Sequence, residues 1–346
     1  MSTITSTPGG PTPDASGSSG GASGGASGGT SPADASGGRR AAKRAHASVG
    51  KDQHIKGSRS SMTVALLMLL PAAILLITFL LIPIGLTFGL AFTNARLISP
   101  RPAEFIGVDN FVRLFSDDTF WASLRNTIVF AIVIVPVQSA CALGLALLVN
   151  VKMRGTNFFR TVYFLPVVTS MVVVSMLWLF MYQPNGLINQ VLLKFGIVGP
   201  DWLGDPRTAL LAIILMSAWQ AMGFHMVIWL AGLQTIPGEL YEAAELDGAG
   251  RWDKFRYVTW PGLRNTRTFI LITITIAAFA LFTQVNIMTQ GGPLDSTSTV
   301  VLMAVRTGFQ QQQTGYASAI SLVFFVLVLL VTLVQRFLTR DKEATR

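Results

Sequence analysis

Six stretches of this chain are long and apolar enough to cross a bilayer. They are Val64–Ala91, Ile128–Val149, Val162–Tyr182, Ala209–Leu233, Phe269–Met288 and Ala317–Phe337. Apolar runs of roughly 18 or more residues read as membrane helices. The first run is long and carries Pro71 and Pro83. None shows the alternating strands of about ten residues that build a membrane barrel. The pattern predicts an all-α, polytopic, multi-pass protein of the cell membrane, with six transmembrane helices over residues 61–338 and a short tail over 339–346.

Composition agrees. The 346 residues are 51% hydrophobic and 12% charged, against about 25% charged in soluble domains. Residues 1–60 are different material. The stretch 1–38 is mostly Gly, Ser, Ala, Thr and Pro, cannot bury enough surface to offset its ordering entropy, and reads as disordered. Seven basic residues from Arg39 to Arg59 follow. The first apolar run starts too late and runs too long for a cleavable signal peptide. The basic cluster lies next to a span, so it reads as facing anionic lipid rather than nucleic acid.

The basic residues also orient the chain. With the N-terminus inside, 19 of the 26 Lys and Arg residues fall on the inner side. They divide as seven in the tail, three near Lys152–Arg160, five in the loop Pro237–Arg267 and four at the C-terminus. The positive-inside rule then places both termini in the cytoplasm. All 17 acidic residues lie in loops or tails, so no span holds the carboxylates that proton-coupled pumps use as relays. His225 is the one titratable group of note in a span, and it reads as a hydrogen-bonded packing residue. The single Cys141 excludes an intrachain disulfide and a cysteine metal site. No phosphate-binding loop, metal-ligand cluster or nucleophile–base pair is present. The expectation is therefore a membrane protein with no catalytic residues, no metal and no cofactor. The residues alone leave open a secondary transporter or channel without an ATPase, and a membrane anchor or receptor without transport.

One segment breaks the pattern. "LYEAAELDGAGRWDKFRYVTWPG", Leu240–Gly262, is compact and charged between two apolar runs. Pro237 suits a first helical turn, so a helix is expected to about Leu246. Asp247-Gly248 breaks it, because Gly takes the left-handed geometry of a helix end. A second helix is expected from about Gly250 to Thr259, stopping before Pro261. Two helices this short are unstable alone in water and need a partner surface. Ala243, Ala244, Gly248 and Ala249 let a partner backbone approach. Trp252, Phe255 and Tyr257 are anchors of the kind that dominate interfaces. Glu242, Asp247 and their charged neighbours form a rim.

The order Glu242-Ala243-Ala244, Gly248, Val258, Pro261 fits the pattern E-A-A-x(3)-G-x(9)-hydrophobic-x-x-P. It resembles the EAA loop of ABC importer permease subunits. "FIGVDNFVRLF", "LRNTIVF", "WLGDPRTAL" and "MTQGGPLDSTST" resemble the maltose and glycerol-3-phosphate branch, and the likeness spans roughly residues 65–338. The resemblance implies a type I ABC importer permease fold that imports a sugar or sugar derivative. It further implies cytoplasmic ATP-binding subunits docked on the EAA loop (237–262), a second, paralogous permease subunit and an extracytoplasmic substrate-binding protein.

A carbohydrate needs hydrogen-bond partners and apolar surfaces along its path. Ser217, Gln220, Ala221 and Phe224 share one helical face just before the loop. Beyond the loop stand Ala277 and Ala278, with Gln284 and Asn286 further on. The resemblance implies that these two helices line the cavity, and that Ala277 and Ala278 fall where a maltose-type pocket carries larger side chains. Gly85 and Gly89 form a G-x-x-x-G pattern, and Trp202 reads as an interfacial anchor.

Overall fold

The computed structural model describes residues 59–100, 102–150 and 155–339. The tail and most of its basic cluster, Arg101, the loop cations Lys152 and Arg154, and residues 340–346 lie outside the described residues. A boundary between Leu69 and Leu70 divides the chain into two units, Met1–Leu69 and Leu70–Arg346.

Among the described residues the structure is helical, with one isolated bridge, Thr93 to Phe105. The helices are α1 (Arg59–Leu76), α2 (Ile82–Leu90), α3 (Asp109–Phe115), α4 (Asp118–Val149), α5 (Thr156–Val168), α6 (Met171–Met181), α7 (Leu187–Lys194) and α8 (Ala209–Gln234). They continue with α9 (Gly238–Leu246), α10 (Arg251–Lys254), α11 (Trp260–Gly262), α12 (Arg264–Phe279), α13 (Thr283–Met288), α14 (Val300–Val305) and α15 (Thr314–Thr339). Wide π turns join α1 to α2, α10 to α11, and extend α14 to Gln310. Among the described residues five helical stretches are long and apolar enough to cross a membrane, or six when the bent pair α5 and α6 counts as one.

The second unit is built around α4 and α8, which pack along their lengths and against α12. Asp117 caps α4 by accepting from the Thr119 backbone N–H at 2.9 Å. The interior holds Phe130, Ile134, Ile213, Met216, Trp229 and Ile274, all nearly inaccessible. In lipid there is no hydrophobic drive between helices, so small residues set close approach. A Cβ added at Gly232 would lie 2.3 Å from Thr266 Oγ1, and one at Gly315 would lie 2.1 Å from the Thr93 carbonyl. A Cβ added at Gly85 or Gly89 would meet nothing from another element within 4 Å, so their G-x-x-x-G pattern marks no close helix contact within the chain.

Three features depart from the expected elements. Val162–Tyr182, expected as one straight span, is broken at Thr169–Ser170, and α5 and α6 meet at 96°. Pro166 lies three residues before the break, and Thr169 and Ser170 take extended backbone. The carbonyls released near the bend find side-chain donors: Thr169 Oγ1 donates to Leu165 O at 3.2 Å and Gln220 Nε2 to Pro166 O at 3.3 Å. Phe269–Met288 is interrupted between Phe279 and Thr283, where Thr299 Oγ1 donates to the Leu281 carbonyl at 2.9 Å. The second helix of the charged segment does not stop before Pro261. It runs on through the π turn Phe255–Thr259 into α11, because the wider turn accommodates a residue with no N–H to donate. Helix α14, too short to read as a span, and the surface helix α7 stand outside the six runs read from hydropathy.

Candidate functional site

The segment Gly238–Gly262 folds as a helical knuckle on its own local chemistry. Ala249 N donates to Ala244 O at 2.9 Å and Gly248 N to Glu245 O at 3.0 Å. This crossed pair is the Schellman closure, which needs a left-handed residue at the first position past the helix. Gly248 supplies it, with φ of +78°. The second helix is capped when Asp253 Oδ2 accepts from Gly250 N at 3.1 Å. Lys254 pairs with Glu245 across the turn.

The knuckle presents most of its surface outward. Glu242, Ala243, Asp247, Gly248 and Pro261 are exposed, and Ala244 and Ala249 half-buried. Leu246 is 91% exposed and Trp252 67%. Phe255 is half-buried and stacks on Trp252 with centroids 5.5 Å apart. Large apolar groups held on a rigid turn and left uncovered form a surface suited to a partner.

The candidate pathway residues separate into two groups. Ser217 and Gln220 are buried, with Gln220 donating to α5 through Pro166 O. Ser217 Oγ has no hydrogen-bond partner among the described residues. Phe224 is half-exposed, with its ring edge-on to His225 at 5.2 Å. Ala221 is half-buried, and its carbonyl lies 3.0 Å from His225 Nδ1. That nitrogen also lies 2.8 Å from Gln138 Nε2 of α4, so His225 joins two helices as a packing residue. On the second helix Ala277 is exposed and Ala278 buried, while Gln284 and Asn286 are half-buried in α13. The four residues of α8 thus share a face that runs along the edge of the α5 contact, and Phe224 points out of it.

The bend itself was not anticipated from the sequence. Val168, Thr169 and Ser170 are exposed at the break. The α6 N-terminus has no side-chain cap, so its first N–H groups are unpaired by the helix. A Pro followed by Val-Val-Thr-Ser inside an apolar run was the available signal, since interrupted spans mark binding sites in transporters.

At the other end of the bundle, polar contacts tie three elements together. The Arg113 guanidinium lies 4.0 Å over the Tyr316 ring and donates to Gln313 Oε1 at 2.8 Å. Tyr316 Oη donates to Asp117 Oδ2 at 2.7 Å. Asn126 Nδ2 donates to Asp295 O at 2.7 Å and Ser298 O at 3.1 Å. Trp202, expected as an anchor, donates its indole N–H to Asn189 Oδ1 at 2.8 Å.

Comparison with known proteins adds to this geometry. The family model described as binding-protein-dependent transport system inner membrane component matches residues 138–343. The chain is 37% identical over 279 residues to the lactose transport system permease protein LacF of Rhizobium radiobacter, covering 79% of this chain and 93% of that one. It is 37% identical over 282 residues to the diacetylchitobiose uptake system permease protein NgcF of Streptomyces coelicolor, covering 75% and 79%. Its fold matches a chain of a bacterial ABC transporter involved in the import of the acidic polysaccharide alginate, with a TM-score of 0.73, 26% identity, and 82% and 97% of the two chains covered.

Proposed function

The chain belongs to the family of binding-protein-dependent transport system inner membrane components, and from that premise we propose that it is one permease subunit of an ATP-driven importer of a sugar or sugar derivative. Relatives named for lactose and diacetylchitobiose support the substrate class. The single observation that carries the mechanism is the exposed knuckle Gly238–Gly262. It is closed by its own caps, bears Leu246 and Trp252 uncovered, and leads through α10 and α11 into α12.

In this reading a cytoplasmic ATP-binding subunit covers the knuckle, with Glu242, Ala243, Ala244, Gly248 and Ala249 under its backbone and Trp252 and Phe255 as anchors. A second, paralogous permease subunit completes the pathway, and an extracytoplasmic binding protein delivers the sugar at the far end. Two apolar clefts of about 640 and 690 Å³ flank α15 and suit lipid chains or an apolar helix. The knuckle moves because its contacts differ between open and closed states of the ATPase; only such a difference can shift an equilibrium.

The sugar passes the bend in span three. Irregular backbone at membrane depth is tolerated only where protein or a water-filled cavity covers it, and Thr169 and Ser170 are exposed. Ser170, Gln220 and Phe224 then offer hydroxyl, amide and aromatic contacts, while Ala277 and Ala278 offer little more than space. Most polar contacts to the sugar come from the second permease subunit.

The test is the double variant Gly248→Asp with Glu242→Ala. Loss of co-purifying ATPase and of uptake is expected, with the chain still inserted in the membrane. Undiminished ATP-dependent uptake would refute docking at this site.

A further inference from the structure

The knuckle has two routes into the membrane, and they differ in stiffness. Helix α9 joins α8 through the non-helical stretch Thr235–Pro237. On the other side the backbone ladder is nearly unbroken: Leu263 N donates to Thr259 O at 3.0 Å and Arg267 N to Leu263 O at 2.7 Å. A push received by α9 therefore reaches α12 along the stiffer route when it crosses to the π turn, besides the packing of α8 on α12.

Two side-chain links make that crossing. The Glu245–Lys254 pair is one, but the Glu245 side chain is 65% exposed, and exposed pairs are screened and weak. The other is between hydroxyls. Tyr241 Oη lies 3.0 Å from Thr259 Oγ1, and Thr259 Oγ1 donates to the Lys254 carbonyl at 3.3 Å. With its own proton committed to Lys254, Thr259 accepts from Tyr241. Thr259 is 5% exposed and sits at the end of the π turn, a feature often found at functional sites.

We propose that the Tyr241–Thr259 hydroxyl pair is the positioning element that makes the two knuckle helices move as one body and passes displacement from α9 to α12. This rests on the docking role assigned to the knuckle. Tyr241 and Thr259 position the surface and are not themselves required to touch the ATPase.

The experiment uses the whole transporter, purified from its native membrane through a tag on this chain, in a Cys141→Ala background. Tyr241→Phe and Thr259→Val remove one hydroxyl each with little change of shape, and Thr259→Ser keeps it. Spin labels at exposed Leu240 and Asn265, outside the docking surface, report the spacing of α9 and the start of α12. Labels at exposed Leu211 and Ile276 report the response of α12 to ATP plus vanadate. The expected result is a narrow Leu240–Asn265 distance distribution in the parent and in Thr259→Ser, lost to a broad one in Tyr241→Phe and Thr259→Val. The ATP–vanadate shift at Ile276 is lost in the same two variants while co-purifying ATPase is unchanged. A narrow distribution or a full shift in Tyr241→Phe overturns the proposal. ATPase missing from the parent complex would instead sink the docking role, and the Leu240–Asn265 distribution would still decide the hydroxyl pair.

Discussion

Gly223 sits directly on the backbone of Tyr163. A Cβ at Gly223 would lie 2.0 Å from the Tyr163 carbonyl oxygen and 3.1 Å from Phe164 Cα. Helix α5 can therefore lie against α8 only because position 223 has no side chain. The obstacle is backbone, which cannot swing aside as a side-chain tip does. Gly223→Val should lower stability by about 1–3 kcal/mol through overpacking, read as a lower melting temperature of the detergent-solubilised chain. Gly85→Val, with open space around it, should leave the melting temperature near the parent value.

Gly248 is constrained differently. Nothing lies within 4 Å of an added Cβ there, and φ is +78°, so the cost is conformational and not steric. Gly248→Ala should destabilise the knuckle by roughly 1–2 kcal/mol, and Gly248→Asn by less, because Asn tolerates the left-handed region better than most residues. ATPase co-purification should fall in the order Gly, Asn, Ala, Val. Equal recovery with Val would show that the Schellman closure is dispensable for docking.

The knuckle was readable in the sequence because its signals are local. Asp-Gly after an amphipathic turn announces the helix end, and at that end the structure adds the identities of the paired amides. The six apolar runs were readable for a similar reason, since length and hydropathy alone decide what can cross a bilayer. The bend at Thr169 was not, because a proline inside a span is tolerated or bent depending on what covers the freed carbonyls, and Gln220 stands 54 positions away. The Tyr241–Thr259 pair was hidden in the same way: the π turn that carries Thr259 to Tyr241 leaves no periodic trace. The helical face shared by Ser217, Gln220, Ala221 and Phe224 followed from spacing, but spacing does not say which part of that face meets α5.

Asn126 holds the loop before α14. It is 4% exposed and donates to two carbonyls of that loop, those of Asp295 and Ser298. Asp295 and its neighbour Leu294 have φ of +55° and +49°, values that non-glycine residues adopt at a cost. Asn126→Leu keeps the volume and takes the side-chain donor from both carbonyls, leaving Asp295 O with only the Ser298 N–H at 3.2 Å, a loss of roughly 1–3 kcal/mol. The loop should open before the bundle does. Limited proteolysis should cut near Leu294, which is 91% exposed, faster in the variant than in the parent. Unchanged cleavage would mean that the Ser123–Ser298 hydroxyl contact at 2.9 Å and the Thr297 hydroxyl, which donates to Gly292 O at 2.7 Å, secure the loop without Asn126.

If the sugar passes the bend in span three, as proposed, the bend separates an aqueous pathway from a lipid-facing surface. Ser170 and Phe180 are both exposed on the isolated chain, so exposure alone does not distinguish them. If the sugar passes the bend, water reaches Ser170 in the assembled transporter, while Phe180, ten residues on, faces lipid or protein. In a Cys141→Ala background, Ser170→Cys should react readily with a charged methanethiosulfonate reagent, and Phe180→Cys should stay unreactive. Gln220→Ala bears on the same point from the other side. It removes the donor to Pro166 O, leaving a carbonyl whose desolvation costs roughly 1–3 kcal/mol unless water replaces the amide. With water in the pathway the replacement is at hand, so Gln220→Ala should change sugar affinity while the melting temperature moves little. A Ser170→Cys that resists the reagent, together with a steep loss of stability in Gln220→Ala, would place the bend in a dry helix interface and move the pathway elsewhere.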